Sequence, residues 1–248
     1  MKPKTEFNKN HSSWFVNKVI WAIKNYAMIE QQENLGVALS GGKDSSVLLF
    51  ILWYINRYTY LKFKLTAFHA HIANYDFSPL QKFCKHLDIP LVIVELPLKY
   101  DKIEGSKCSF CSRFIKGSII RESSKMGIKK LAFGHSATDV AETFFMNIFL
   151  HKKLGAFTPK LHLSRSRATI IRPLIYLSER TISKIRSFLN IPLMPYKCPY
   201  AKENIRARFK ESTQALNQVF GTKEIETEVV VSLENIDWKN IWRKNESL

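Results

Sequence analysis

The heptad Ser40-Gly41-Gly42-Lys43-Asp44-Ser45-Ser46 stands directly between two apolar runs, LGVAL at residues 35–39 and VLLFILWYI at residues 47–55. A short apolar run ending in Ser-Gly-Gly reads as a buried strand, and the segment from Asp44 onward reads as a helix. Two adjacent glycines let the backbone turn sharply and bring N–H groups close to an anion. The following helix aims the positive end of its dipole at the same point. In that setting Lys43 neutralises phosphate charge, while Ser45 and Ser46 donate hydrogen bonds. Asp44 is out of place in a plain anion pocket and fits a Mg²⁺ ligand or a helix cap. The spacing is not GxxxxGK[ST], so the loop is not of the Walker type. An ordinary Gly-Gly turn with an Asp/Ser cap is the alternative, and the strand–loop–helix setting weighs against it.

The rest of the chain repeats the alternation. Residues 65–70, 91–96, 131–133 and 169–171 read as strands, and residues 14–26, 80–87, 113–126, 139–150 and 179–189 as helices. This predicts a doubly wound α/β fold, with a mostly parallel five-stranded sheet and helices on both faces. Such sheets bind ligands beyond the carboxyl ends of strands, where strand order switches. The expected organisation is a helical segment over residues 1–30, the main domain over 31–220, and a peripheral tail over 221–248. Hydrophobic residues at 46%, with only 9 Gly and 9 Pro, exclude disordered and collagen-like chains.

Charge narrows the partner. Lys and Arg number 38 against 21 Asp and Glu, a formal net charge of +17. That excess points to a polyanion, either nucleic acid or an anionic membrane surface. The longest apolar run, nine residues at 47–55, is too short to span a bilayer. No apolar stretch of signal-peptide type precedes Trp14, so a cytoplasmic protein is expected. No acid lies between Glu142 and Glu179, yet Lys152, Lys153, Lys160, Arg165, Arg167 and Arg172 do. A second basic group, Lys197, Lys202, Arg206, Arg208 and Lys210, brackets Cys198. Both suit a phosphate-contacting surface, and Phe157, Tyr196, Tyr200 and Phe209 among them are candidates for stacking a flipped base. Solvated helix faces and core packing are the plainer explanations.

The four cysteines are Cys84, Cys108, Cys111 and Cys198. Cys108-Ser109-Phe110-Cys111-Ser112-Arg113 follows the third strand and leads into a helix. A C-x-x-C pair can hold one metal or form a reversible disulfide, and no second pair exists for a four-cysteine zinc site. Cys198, flanked by Pro195 and Pro199, lies in an extended segment able to reach the pair. Three thiolates on a [4Fe–4S] cluster leave one iron open for sulfur or substrate. Cys84 reads as a small buried hydrophobe.

At SGGKDSS the sequence resembles the PP-loop pyrophosphatases, which cleave ATP between the α- and β-phosphates and adenylate a substrate. From about residue 14 to 220 it resembles the TtcA family, the tRNA 2-thiocytidine synthetases. The resemblance rests on SGGKDS, on CSFCSR before a helix with Gly117, and on Gly134-His135 followed by Asp139 and Thr143. It continues through Pro159-Lys160-Leu161, Arg172-Pro173-Leu174 and a late cysteine after Pro195. It implies ATP, Mg²⁺ and a [4Fe–4S] cluster as cofactors, and tRNA and a sulfur donor (a cysteine desulfurase or sulfide) as partners; a homodimer is also open. It further implies that Cys108, Cys111 and Cys198 hold the cluster. Ser40 to Ser46, with Gly134, His135 and Asp139, would bind nucleotide, and Lys43 and Asp44 would act with the cysteines in catalysis. His135 as a cap and Asp139 as a first-turn acid are the structural alternatives.

The implied reaction adenylates a base oxygen, cytidine C2 in the anticodon loop, and replaces it with sulfur. The chain departs from the family at Thr138, where an acid is common, at His71 after the second strand, and at Pro-Tyr-Lys-Cys before Pro199. Rival expectations are thiolation of another base, lysidine-type ligation, or RNA binding without catalysis.

Overall fold

Residues 35–38 and the run that follows the heptad become the body of the first strand and of the helix after it. The computed structural model describes residues 3–4, 12–71, 76–96, 107–194, 205–237 and 239. A π turn, Ser12–Val16, runs into α1 (Asn17–Asn25); β1 (Glu33–Ala38) leads to α2 (Lys43–Tyr58) and β2 (Phe63–His71). Then come α3 (Ser78–His86), β3 (Leu91–Glu95), α4 (Lys107–Lys125), β4 (Lys130–Ala132) and α5 (Ala137–His151). A hairpin of β5 (Lys160–Leu163) and β6 (Ala168–Ile171) precedes α6 (Glu179–Leu189), α7 (Ile205–Val219) and α8 (Ile225–Glu234).

Among the described residues six strands lie in the order β3-β2-β1-β4-β6-β5, one more than the five expected. All pairs are parallel except β5 with β6. The added strand β5 is an edge strand with three exposed residues and one half-buried, so it lacks the apolar run by which the inner strands were recognised. Lys160 opposite Ile171 and Leu163 opposite Ala168 set its register.

Side chains alternate across the sheet and build two cores. On one face Val37, Ala67, Ala132 and Ile171 pack with Leu48, Ile51, Val140, Ile182 and Ile185 of the overlying helices. On the other, Ala38, Phe68, Leu131 and Ile170 meet Ile119 and Ile120 of α4. Burial on both sides explains why β1 reads as a continuous apolar run. Gly36 sits at its centre, where a Cβ would lie 2.5 Å from Leu131 Cδ2. The helices after residue 205 join this body: Val229 and Val230 of α8 are buried, and Val230 belongs to the first core. Among the described residues no helix is long and apolar enough to cross a membrane.

Candidate active site

β1 lies between β2 and β4, so successive connections leave it in opposite directions, which opens a crevice at its carboxyl end. The heptad occupies that end. Gly41 has φ +84°, a left-handed conformation natural to glycine, and Gly42 is the extended N-cap of α2. The serines tie the loop together. Ser40 N–H donates to Ser45 Oγ at 3.1 Å, and Ser45 Oγ donates to the Gly42 carbonyl at 3.2 Å. The two hydroxyls lie 2.9 Å apart. Leu39, just before the loop, is clamped between the Phe68 carbonyl and His69 Nδ1, at 2.8 and 2.7 Å. The loop thus stands on β2, through one backbone and one side-chain contact.

Two glycines are required by close approach. A Cβ on Gly134, just past β4, would lie 2.9 Å from both Asp44 C and Ser45 N. Gly134 therefore packs against the first turn of α2, bringing the β4 end onto the loop. A Cβ on Gly41 would collide with Met194 at 2.9 Å, and Met194 N–H donates to the Gly41 carbonyl at 3.0 Å. The segment that leads toward Cys198 is thereby anchored on the loop.

Lys43 Nζ forms ion pairs with Glu179 Oε1 at 2.7 Å and Asp44 Oδ2 at 3.4 Å. Burial alone would lower its pKa, but the Glu179 and Asp44 carboxylates more than reverse this and raise it. Lys43 is thus cationic at neutral pH. Asp44 has its pKa raised by burial, with Lys43 opposing and the Asp139 charge adding to it. Asp44 Oδ1 is buried without a hydrogen-bond partner. A partly buried carboxylate beside an ammonium, with one oxygen unsatisfied, suits a cation ligand.

In the sequence Glu179 marks only the start of a helix. Ser178 caps α6 by accepting from Thr181 N–H at 3.1 Å, and Glu179 N–H donates to Thr138 Oγ1 at 2.9 Å. Thr138, where an acid was the family expectation, thus holds in place an acid from another helix. Glu224, before α8, accepts from Ser178 Oγ at 2.5 Å and Thr181 Oγ1 at 2.6 Å. A cleft of about 420 Å³ opens here, lined by Thr138, Ser178, Glu179, Lys223 and Glu224 among others. No sequence pattern announces these contacts, although the Ser178 cap and the first-turn acid are recognisable.

The other candidates divide. Asp139 closes a capping box, its Oδ2 accepting from Ser136 N–H and Oγ at 2.8 and 2.9 Å. Half-buried His135 packs between Phe133 and Phe157, with ring centroids 6.0 and 5.2 Å away. Ser46 is fully buried, and its Oγ has no hydrogen-bond partner. Both Cys108 and Cys111 lie inside α4, which starts at Lys107 rather than at residue 113. No glycine or proline between these positions interrupts the helix. Cys111 is half-buried. Cys198 lies outside the described residues, as do Tyr196 and Tyr200. Among the described residues no group of three or more His, Cys, Asp or Glu is arranged to hold a metal ion. Cys84 is buried, its thiol pushed up to about 12 by desolvation. Of the acid-free stretch, Lys152, Lys153, Lys160, Arg165 and Arg167 are exposed, while Arg172 is buried. Of the second basic group only the Arg208 side chain is described, and it is exposed.

The PP-loop domain family matches residues 12–196. The tRNA-cytidine(32) 2-sulfurtransferase of Cupriavidus necator is 33% identical over 194 residues, covering 75% of this chain and 62% of that protein. The one from Pseudomonas fluorescens is 33% identical over 193 residues, covering 75% and 70%. The chain thus spans 62% of the length of the first of these relatives. A solved structure, the U34-tRNA thiolase NcsA from Methanococcus maripaludis with its [4Fe-4S] cluster, superposes with a TM-score of 0.73 at 21% identity. That match covers 94% of this chain and 83% of the other, and at such identity it speaks for the fold. The glycine loop at the strand-order switch and the extent of these matches lead to one conclusion: the chain belongs to the PP-loop domain family, in the group of the tRNA-cytidine(32) 2-sulfurtransferases.

Proposed function

We propose that this chain is an ATP-dependent tRNA sulfurtransferase that converts a cytidine C2 carbonyl to a thiocarbonyl. The observation that carries the reading is the meeting of the Ser40–Ser46 loop with Gly134 at the switch point, in a chain 33% identical to enzymes of that name. A ring carbonyl is a poor electrophile until its oxygen becomes a leaving group. The cytidine oxygen attacks the ATP α-phosphorus and the bond to pyrophosphate breaks. Lys43, the loop N–H groups and the Ser46 hydroxyl bear the charge of the departing pyrophosphate, where preorganised donors contribute most, while Ser45 braces the loop. Sulfide sulfur then attacks C2, the C2–O bond breaks, AMP leaves, and the sulfide proton passes to solvent.

The partnerless Asp44 Oδ1 suits Mg²⁺, which would neutralise charge between phosphates. A C-x-x-C pair within α4, with Cys111 half-buried, suits an iron–sulfur group. Cys108 and Cys111, joined by Cys198, would hold a [4Fe–4S] cluster, which supplies an iron position able to bind sulfide. Sulfur would come from a cysteine desulfurase or from free sulfide. Such a reaction belongs in the cytoplasm, where tRNA is found.

The test is anaerobic reconstitution with iron and sulfide, then incubation with ATP, Mg²⁺ and unmodified tRNA. The expected result is tRNA-dependent pyrophosphate release together with 2-thiocytidine in the digested nucleosides. Pyrophosphate release with a different modified nucleoside would move the target base. No release from the metal-replete protein would overturn the enzymatic reading.

A further inference from the structure

Arg172 directly follows β6 and is 4% exposed. Its main-chain N–H donates to the Pro159 carbonyl at 3.0 Å, and its Nη1 donates to the Thr158 carbonyl. The guanidinium lies over the Phe157 ring, 4.7 Å from its centroid, and Phe157 in turn packs on His135. Arg172 Nε is buried without a hydrogen-bond partner. Among the described residues, no carboxylate lies within ion-pair distance of it.

A second cation faces the same place. Arg172 directly follows β6, whose Ile170 packs with Ile119 and Ile120 of α4. Lys116 lies one turn earlier on that helix. Its pKa is lowered, first by burial and then by the Arg172 charge. Arg172 itself is pushed down to about 10 by burial.

Removing a guanidinium from water costs several kcal/mol unless an anion compensates. One carbonyl and one aromatic face do not neutralise it, and a neighbouring ammonium makes matters worse. With Nη1 directed at Thr158, the Nε edge remains, the edge that grips an oxyanion through two parallel bonds.

We propose that Arg172 and Lys116 form a second phosphate-binding site, distinct from the Ser40–Ser46 loop. β6 is two strands from β1, so the sites are separated by roughly 10 Å, twice the strand spacing. The occupant is a phosphate group, of the RNA backbone or of the nucleotide. Assigning RNA as the source rests on the tRNA reading above; binding of phosphate does not.

Three full-length variants test this: Lys116→Gln, which breaks no described hydrogen bond, Arg172→Lys, which keeps charge without the fork, and Arg172→Gln. Each is compared with wild type for inorganic phosphate and ATP by calorimetry, and for tRNA by anisotropy across a salt series. Phosphate affinity is expected to fall about tenfold in Lys116→Gln and Arg172→Gln. An RNA source also lowers the slope of log affinity against log salt by about 1, with ATP binding unchanged. A nucleotide source instead weakens ATP and leaves the tRNA slope alone. If folded Lys116→Gln and Arg172→Lys match wild type for all three ligands, the site does not exist and Arg172 merely braces the Thr158 loop. Absence of tRNA binding by wild type would count against the tRNA reading while leaving the phosphate and ATP measurements to decide the site.

Discussion

Lys43 Nζ lies 2.7 Å from Glu179 Oε1, joining the glycine loop after β1 to the first residue of α6. The cation that would meet a phosphate is therefore already committed to a carboxylate, and the incoming anion must exchange with it. Both side chains are 26% exposed, so the pair is worth less than a buried one.

Glu179→Gln should tighten Mg²⁺-free ATP binding by about two- to fivefold, the scale of a partly solvated ion pair. Titration calorimetry reads this directly. Unchanged or weaker affinity would mean that Glu179 does not compete with phosphate for Lys43.

Asp44→Asn should stabilise the free protein while removing the proposed Mg²⁺ ligand. Burial holds the Asp44 pKa above the ordinary 3.8, so the native state retains this proton more firmly than the unfolded chain. Stability from this group therefore falls as pH rises from that ordinary value through the raised one. The variant cannot ionise, and its Tm advantage should appear above that window and shrink toward pH 4. A gain of about 1–3 °C near neutral pH is expected after discounting for partial exposure. Thermal melts across this range check it; an advantage equal at all pH values would remove the electrostatic explanation.

Gly134→Ala should cost about 1–3 kcal/mol, because the atoms its Cβ meets are the backbone of Asp44 and Ser45 and cannot rotate away. Gly117→Ala on α4 is the contrast. Nothing lies within 4 Å of that Cβ, so the helix should gain about 0.5–1 kcal/mol. Denaturant melts of the two variants should move in opposite directions.

Glu224→Ala should lose about 1–2 kcal/mol, since its carboxylate accepts from both Ser178 and Thr181 at the start of α6. Ser178→Ala in the same background should cost less than it does alone, as partners in one network are not additive. Full additivity in a double-mutant cycle would show that the contact contributes nothing.

Alkylation should separate the cysteines. At pH 8 iodoacetamide should label half-buried Cys111 in the native, iron-free protein and leave Cys84, with its thiol near 12, unmodified until denaturant is added. Peptide mass mapping of the two time courses provides the check.

Much of the nucleotide-loop architecture is local and was legible from residue order. Strand, Gly-Gly turn and helix follow each other within residues 33–58, and the buried runs of β1, β2 and β4 announce a covered parallel sheet. Cys84 reads correctly as core because apolar helix neighbours leave a lone thiol little else to do. Edge strand β5 is not legible in the sequence because a strand with one partner and three exposed residues carries no apolar pattern. The extent of α4 was missed because Ser, Cys and Phe between residues 108 and 112 signal neither helix nor loop strongly.

The remaining relationships are long-range. Glu179 reaches Lys43, Glu224 reaches Ser178, and Arg172 turns inward while its neighbours in the same acid-free stretch face water. Residue order establishes that a phosphate loop, a thiol pair and an excess of cations exist, since each is defined by near neighbours along the chain. Which acid meets which cation, and which arginine is buried without one, follows from strand order and helix placement, which bring together side chains that no local spacing relates.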